Sequence, residues 1–250
     1  CAAIREDSVA AVAECQQSWP AGETLRTLGF ARCCGVTGER SVAALAKQAP
    51  HLTALDISGY DRLSAETVMA VGGACSGLRA LALAEAELVT DECLRWLCVS
   101  CPAMASLDLS WCSAVSASGV NELLGSWAHL DELRLRCCEA LHADELRFTA
   151  AAALQRLNLS RSALGEGVDP REGAVPLLRS LCGCSGLQHV SLGWLTEAVT
   201  DELGCALLSA LPCLSTLGLE GCKLVSDGLL HHLTAQLAAH LDESRADGGA

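Results

Sequence analysis

Apolar residues recur along the chain in a short phrase whose first, fourth and sixth positions are hydrophobic, most often leucine. Small or polar residues fill most of the positions between them. The phrase occurs eight times, and successive copies begin 27, 26, 26, 26, 24, 33 and 27 residues apart. The copies begin at Leu25, Leu52, Leu78, Met104, Leu130, Leu154, Leu187 and Leu214. Such regular repetition predicts an array of small equivalent units that bury their apolar faces against one another.

Each unit has the pattern of a strand followed by a helix. Residues three and five positions after the first share one side of an extended chain, and residues two, four and six positions after it face the other side. A run with helical spacing of apolar residues follows, and Thr90, Thr200 and Ser226 are predicted to be N-caps of such helices. The aspartate after each of the three favours the positive end of the helix. Proline then limits the helices near Pro50, Pro102 and Pro212.

A strand and a helix in every unit predict an α/β fold, a right-handed solenoid or horseshoe. Parallel strands line its concave face and helices its convex face. Residues 25–241 form the eight repeats in this interpretation. Residues 1–24 are expected to be a truncated N-terminal repeat or cap helix, and the polar residues 242–250 a disordered tail.

Cysteines stand at two recurring positions of the unit. One group follows the strand, at Cys33, Cys112, Cys138 and Cys222, and the other closes the helix, at Cys75, Cys101 and Cys184. With these cysteines, the chain resembles leucine-rich-repeat proteins of the cysteine-containing subtype. The resemblance implies the horseshoe fold and similarity to the substrate-binding part of F-box proteins in cullin-based ubiquitin ligases. An adaptor-binding F-box is expected only in a segment that precedes Cys1.

Composition narrows the possible functions. The formal charge of −13 argues against nucleic acid or an anionic membrane as the general partner. No apolar run approaches the roughly 20 residues that span a bilayer, and sixteen cysteines in a chain with a sizeable core favour reduced thiols in the cytoplasm or nucleus. Neither a paired zinc-binding motif nor a nucleophile or nucleotide motif is found. We therefore expect no metal, no cofactor and no enzymatic activity.

The outward positions of the strands are the expected binding surface. Most of these residues are small, but Arg134, Arg136 and Arg156 form a basic cluster in an acidic chain. The predicted partner is a protein with an acidic or phosphorylated segment, since arginine binds such groups in a bidentate manner. The full set of candidate binding residues is Asp108, Trp111, Glu132, Arg134, Arg136, Arg156, Asn158, His189 and Trp194.

Each of these assignments has a structural alternative. The arginines could pair internally with Glu132 and its neighbours, and Trp111 and Trp194, on the rim, could cover the edge of the core instead of anchoring a partner. Trp127 replaces a helix-closing cysteine and is expected in the core. The segment 162–175, which lengthens one unit, is either neutral or an extension of the binding surface.

The predicted function is protein recognition, as the substrate-recognition module of an F-box-type ubiquitin ligase. The alternative is a scaffold without a link to ubiquitin, for example in a cytoskeletal or ciliary assembly. Fold resemblance alone does not separate the two functions.

Overall fold

The computed structural model describes residues 25–32, 39–60, 63–148, 151–164, 176–177, 179–181 and 183–235. Within these ranges, each unit contributes one strand of three residues. The strands are β1 (Thr27–Gly29), β2 (Ala54–Asp56), β3 (Ala80–Ala82), β4 (Ser106–Asp108), β5 (Glu132–Arg134), β6 (Arg156–Asn158), β7 (His189–Ser191) and β8 (Thr216–Gly218). All of them begin two residues after the first residue of a unit, as the apolar pattern predicts.

The strands form a single parallel sheet in chain order from β1 to β8. Equivalent residues lie side by side, so that Leu55 pairs with Leu81. The same register holds across the longest unit, where Leu157 pairs with Val190. Insertion of extra residues between β6 and β7 therefore leaves the sheet undisturbed.

Helices follow most of the strands. They are α1 (Glu39–Gln48), α2 (Ala65–Ala74), α3 (Asp91–Ser100), α4 (Ala117–Ser126) and α5 (Asp201–Ala210). Residues 176–177, 179–181 and 227–235 are also helical. Among the described residues, no helix has the length and apolar character needed to cross a membrane. Parallel strands alternating with helices confirm the predicted α/β solenoid.

The predicted N-caps differ in how they bind. The Thr200 hydroxyl accepts a hydrogen bond from the amide of Leu203 at 3.3 Å, and the Ser226 hydroxyl accepts one from Gly228 at 3.1 Å. Thr90 has the extended backbone of an N-cap, but its side chain makes no capping bond. Its hydroxyl lies instead 3.7 Å from Sγ of Cys93. Thr90 is therefore confirmed as the N-cap by its position and backbone, but it does not cap through its side chain.

The aspartates at the helix starts also link neighbouring repeats. Asp91 accepts hydrogen bonds from the amide of Ser116 at 2.9 Å and from its hydroxyl at 2.6 Å. Asp201 binds the amide of Ser226 in the same way at 2.8 Å and also its hydroxyl. Each carboxylate thus joins its own helix to the N-cap of the next one.

The repeated leucines and cysteines lie in the core between the two layers. Trp127 is only 2% exposed, which confirms its predicted place there. The described cysteines are free thiols, and those at the repeat positions donate to carbonyls of the preceding unit. Among the cysteines after the strands, Sγ of Cys112 donates to the carbonyl of Leu83 at 3.4 Å, that of Cys138 to Leu109 at 3.2 Å and that of Cys222 to Leu192 at 3.4 Å.

The cysteines that close the helices donate in the same way. Cys75 donates to the carbonyl of Ala49 at 3.4 Å, Cys101 to that of Gly72 at 3.6 Å and Cys184 to that of Phe148 at 3.0 Å.

The unit that begins at Leu130 corrects the expectation of a helix in every repeat. Residues 141–148 contain a turn at 143–145 but no α-helix. With 24 residues, this unit is shorter than its neighbours. Leu146 and Phe148 are nevertheless fully buried, so a turn and loop supply the apolar side chains that an α-helix supplies elsewhere.

Some sequence predictions fall outside the described residues. They are the N-terminal cap 1–24, the tail 242–250, the post-strand Cys33 and residues 165–175 of the lengthened unit.

Candidate functional site

Strands β5 and β6 bring the predicted charged residues together. Their parallel register places Glu132 beside Arg156 and Arg134 beside Asn158. Leu133 and Leu157 between them point into the core and are at most 3% exposed. Alternation along the strands therefore presents the charged side chains on the outer side of the sheet, here called the strand face.

The two strand-face arginines share one carboxylate. Nη2 of Arg134 lies 2.6 Å from Oε1 of Glu132, and Nη2 of Arg156 lies 3.4 Å from Oε2 of the same residue. Arg134 also contacts Asp108 at 3.5 Å, and Arg156 contacts Asp131 at 3.3 Å. We call Asp108, Asp131, Glu132, Arg134 and Arg156 the strand-face cluster. Its ion pairs are the internal pairing of the arginines that the sequence analysis gave as the alternative to partner binding.

Two carboxylates of the strand-face cluster, Glu132 and Asp108, are much less exposed than its arginines. The side chains of Glu132 and Arg134 are 14% and 51% exposed, and that of Arg156 is 45% exposed. Partial burial alone would lower the pKa of Arg134, but attraction by Glu132 and Asp108 outweighs it and raises that pKa. Glu132 and Asp108 thus lie at the base of the cluster, whereas Asp131, at 35% exposed, lies nearer the surface beside Arg156.

Polar side chains extend the surface towards β8. A hollow of about 260 Å³ runs over β5 to β8; Leu133, Leu157 and Val190 line it, although their side chains are at most 3% exposed and face the core. His189, a predicted site residue, lines this hollow, and its Nδ1 lies 3.0 Å from the Thr216 hydroxyl. The hollow is therefore walled by charged and hydrogen-bonding side chains, which are the groups that orient a bound segment.

Asp108 and Asn158 have a structural role that the sequence analysis missed. Asp108 Oδ1 accepts a hydrogen bond from the amide of Ser110 at 2.9 Å, and Asn158 Oδ1 accepts one from Ser160 at 3.0 Å. Asp56 binds Ser58 in the same way at 3.0 Å. The recurring triplets Asp-Ile-Ser, Asp-Leu-Ser and Asn-Leu-Ser were the available signal for this turn.

The remaining predicted residues lie beside the hollow rather than in its lining. Arg136 is exposed and forms no ion pair with the described part of the chain. Trp111 and Trp194 are 48% and 51% exposed. Both have left-handed backbone conformations, with φ of 66° and 65°.

Every described unit has a left-handed residue seven positions after its first residue. These residues are Arg32, Gly59, Glu85, Trp111, Cys137, Arg161, Trp194 and Gly221. Their side chains follow the strands and form a ridge along one edge of the sheet. In this rim ridge, Arg32 pairs with Glu85 across Gly59. Neither the conformation nor the role of Arg161 was predicted, although the shared position was visible in the repeat.

Trp194 is held on both faces of its ring. The guanidinium carbon of Arg161 lies 4.4 Å from the ring centroid, a cation–π contact. On the other side, a Cβ added to Gly221 would lie 2.6 Å from Cδ2 of Trp194. Only glycine therefore lets the ring lie on the backbone at this position, and Trp194 is fixed as part of the rim ridge.

No cluster of three or more histidine, cysteine, aspartate or glutamate side chains in the described part of the chain is placed to hold a metal ion. Burial raises the pKa of both Cys112 and Cys138 to about 12. Because the thiolate is the metal-binding and nucleophilic form, these buried thiols are inert at neutral pH.

Comparison with known proteins agrees with this architecture. The structure of the mouse RP105/MD-1 complex matches with a TM-score of 0.52 and 20% identity, over 80% of this chain and 36% of the matched chain. The chain has the leucine-rich-repeat fold. Leucine-rich-repeat protein LegL7 from Legionella pneumophila matches with a TM-score of 0.49 and 17% identity, over 84% of this chain and 78% of its own.

A third match is the yeast Rad7 and Elc1 complex, with a TM-score of 0.40 and 18% identity over 91% of this chain and 76% of the matched one. No protein-family model matches the sequence. No curated protein matches it either.

Proposed function

We propose that this leucine-rich-repeat solenoid is a protein-recognition module whose strand face binds an acidic or phosphorylated segment of a partner. The observation that carries the proposal is the pair Arg134 and Arg156, which flank the two oxygens of Glu132. Two guanidinium groups on one carboxylate are spaced to bind one further anionic group, because a carboxylate or phosphate can accept from both.

Donors remain available on these arginines. A guanidinium group carries five N–H donors, while the ion pairs of Arg156 within the described chain use its Nη2 alone. Since Glu132 and Asp108 already orient the arginine side chains, a partner loses little conformational freedom in meeting them.

Charge reversal of both arginines tests the strand-face site. Arg134→Glu with Arg156→Glu should abolish capture of the partner in a pull-down, because the strand-face cluster would then present five carboxylates and no arginine to its acidic segment. Arg79→Glu is the matched control, since Arg79 is exposed next to β3 and lies outside the hollow. Unchanged capture by the double variant would exclude this site.

Glu132→Gln separates binding from a structural role. The substitution keeps the shape of the side chain but removes the negative charge that competes for both arginines. Capture of an acidic partner should therefore increase, whereas loss of a purely structural ion pair would not increase it. Reduced capture by a folded Glu132→Gln variant would contradict an anionic ligand.

Beyond protein recognition in general, we propose that the module recognises substrates of a cullin-based ubiquitin ligase. The resemblance of the sequence to F-box proteins supports this proposal. The captured protein should then accumulate in cells when cullin activation is inhibited, and this accumulation should depend on Arg134 and Arg156. A captured protein whose abundance does not respond to that inhibition would favour the cytoskeletal or ciliary scaffold.

A further inference from the structure

The helix layer is interrupted where residues 141–148, in the unit beginning at Leu130, form no α-helix. Residues 145–148 run between α4 and the helical residues 179–181, and polar side chains from both sides hold their backbone. Asn121 donates to the carbonyl of Glu145 at 2.8 Å and accepts from the amide of Arg147 at 2.7 Å. Residues 141–148 form a turn and loop in place of an α-helix, and the layer has a gap here.

The opposite side of this segment is held equally firmly. The Ser180 hydroxyl donates to the carbonyl of Leu146 at 2.8 Å and accepts from the amide of Phe148 at 3.1 Å. Ser180 itself is only 4% exposed. The gap therefore has fixed walls, because its backbone groups are paired within the molecule.

A hollow of about 320 Å³ occupies this gap. We call it the helix-layer notch, and it is lined by Asp144, Leu146, Arg147, Pro176, Arg179 and Ser180. Its volume is at the lower end of the roughly 300–1,000 Å³ found for ligand sites. Pro176 is half-buried and provides apolar surface, whereas Leu146 is fully buried behind it.

The charge in the notch is opposite to that of the chain as a whole. Nη1 of Arg147 donates to the carbonyl of Leu146 at 2.9 Å and to that of Asp144, which fixes its position. Arg179 is exposed and makes no ion pair with the described residues. Two arginines against the single carboxylate of Asp144 leave a positive site in a protein of net charge −13.

We propose that the helix-layer notch is a second protein-binding site, which accepts a short acidic peptide segment. An acidic side chain of that segment binds Arg179, and a neighbouring apolar side chain packs on Pro176. The site is separate from the strand face, so a partner bound in the hollow over β5 to β8 leaves the notch free.

Nuclear magnetic resonance tests the proposal with a synthetic peptide of alternating glutamate and leucine. Titration into the ¹⁵N-labelled protein should shift the amide signals of Arg147 and Ser180. In Arg179→Glu the affinity obtained from those shifts should fall by at least about tenfold. Lys223→Glu, which reverses another exposed cation, should leave the affinity unchanged.

Two further measurements make the result decisive. A peptide with lysine in place of glutamate should not shift these signals, and Arg134→Glu with Arg156→Glu should leave the shifts intact, because those residues serve the strand face. Absence of shifts in a correctly folded protein, or equal binding of the lysine peptide, would overturn the notch proposal. Either outcome would leave the strand-face proposal standing.

Discussion

At the scale of single residues, Gly221 shows how the rim ridge constrains the sequence. Its φ is 73°, a conformation that costs other residues roughly 1–2 kcal/mol, and an added Cβ would meet the Trp194 ring. Gly221→Ala should therefore lower the urea midpoint. Gly125→Ala is the matched control, because a Cβ there meets nothing within 4 Å, and alanine in a helix should stabilise by about 0.5–1 kcal/mol.

A double-mutant cycle identifies the cause of that loss. In a Trp194→Ala background the steric part of the Gly221→Ala effect should vanish and only the conformational part remain. An equal loss in both backgrounds would mean that the Trp194 ring does not press on residue 221.

The buried thiols predict that the protein becomes less stable as the pH rises into the alkaline range. Burial raises the pKa of Cys112, Cys138 and Cys184 from 9.0 to about 12. An unfolded chain releases these protons near pH 9 and the folded chain does not, so stability is complete below pH 9 and falls as the pH rises towards 12. Urea midpoints at pH 8 and pH 10.5 should show the fall, and a Cys112→Ala, Cys138→Ala variant should show less of it.

At the scale of elements, the aspartate links between helices make a separate prediction. Asp91→Ala should destabilise the protein by about 1–2 kcal/mol, because the amide and hydroxyl of Ser116 lose their acceptor. Glu92→Ala is the control, since Glu92 lies in the same first helical turn and is exposed. Equal urea midpoints for the two variants would show that the link contributes only through the helix dipole.

The elements also show how far the sequence could predict the fold. Strand positions and register followed from the leucine spacing, because an error of one residue would have placed Leu107 and its equivalents in solvent. The absence of an α-helix at residues 141–148, after β5, could not be predicted from the leucine spacing. Residues 141–148 keep buried leucine and phenylalanine, and the bonds from Asn121 and Ser180 that replace the helix join parts of the chain far apart in sequence.

At the scale of the whole molecule, the candidate site was predictable in composition but not in pairing. The strand alternation placed Glu132, Arg134 and Arg156 on one face, as observed. Which carboxylate lies at the base of the cluster depends on side-chain rotamers, and these have no signature in the sequence. The same is true of Trp194, whose rigid position depends on Arg161 and Gly221 in the two neighbouring repeats.

Charge at this scale predicts an unusual effect of salt on partner binding. The net charge of −13 repels an acidic segment at long range, whereas the strand-face arginines attract it only at contact. The screening length falls from about 30 Å at 0.01 M salt to about 8 Å at 0.15 M, so the distant repulsion is screened first. Stopped-flow measurements should show that the association rate of an acidic peptide rises with salt, while its dissociation rate also rises. An analogue of the peptide with glutamine in place of glutamate should show neither change. If the association rate of the acidic peptide instead fell with the first addition of salt, the strand-face arginines would be attracting the peptide at long range.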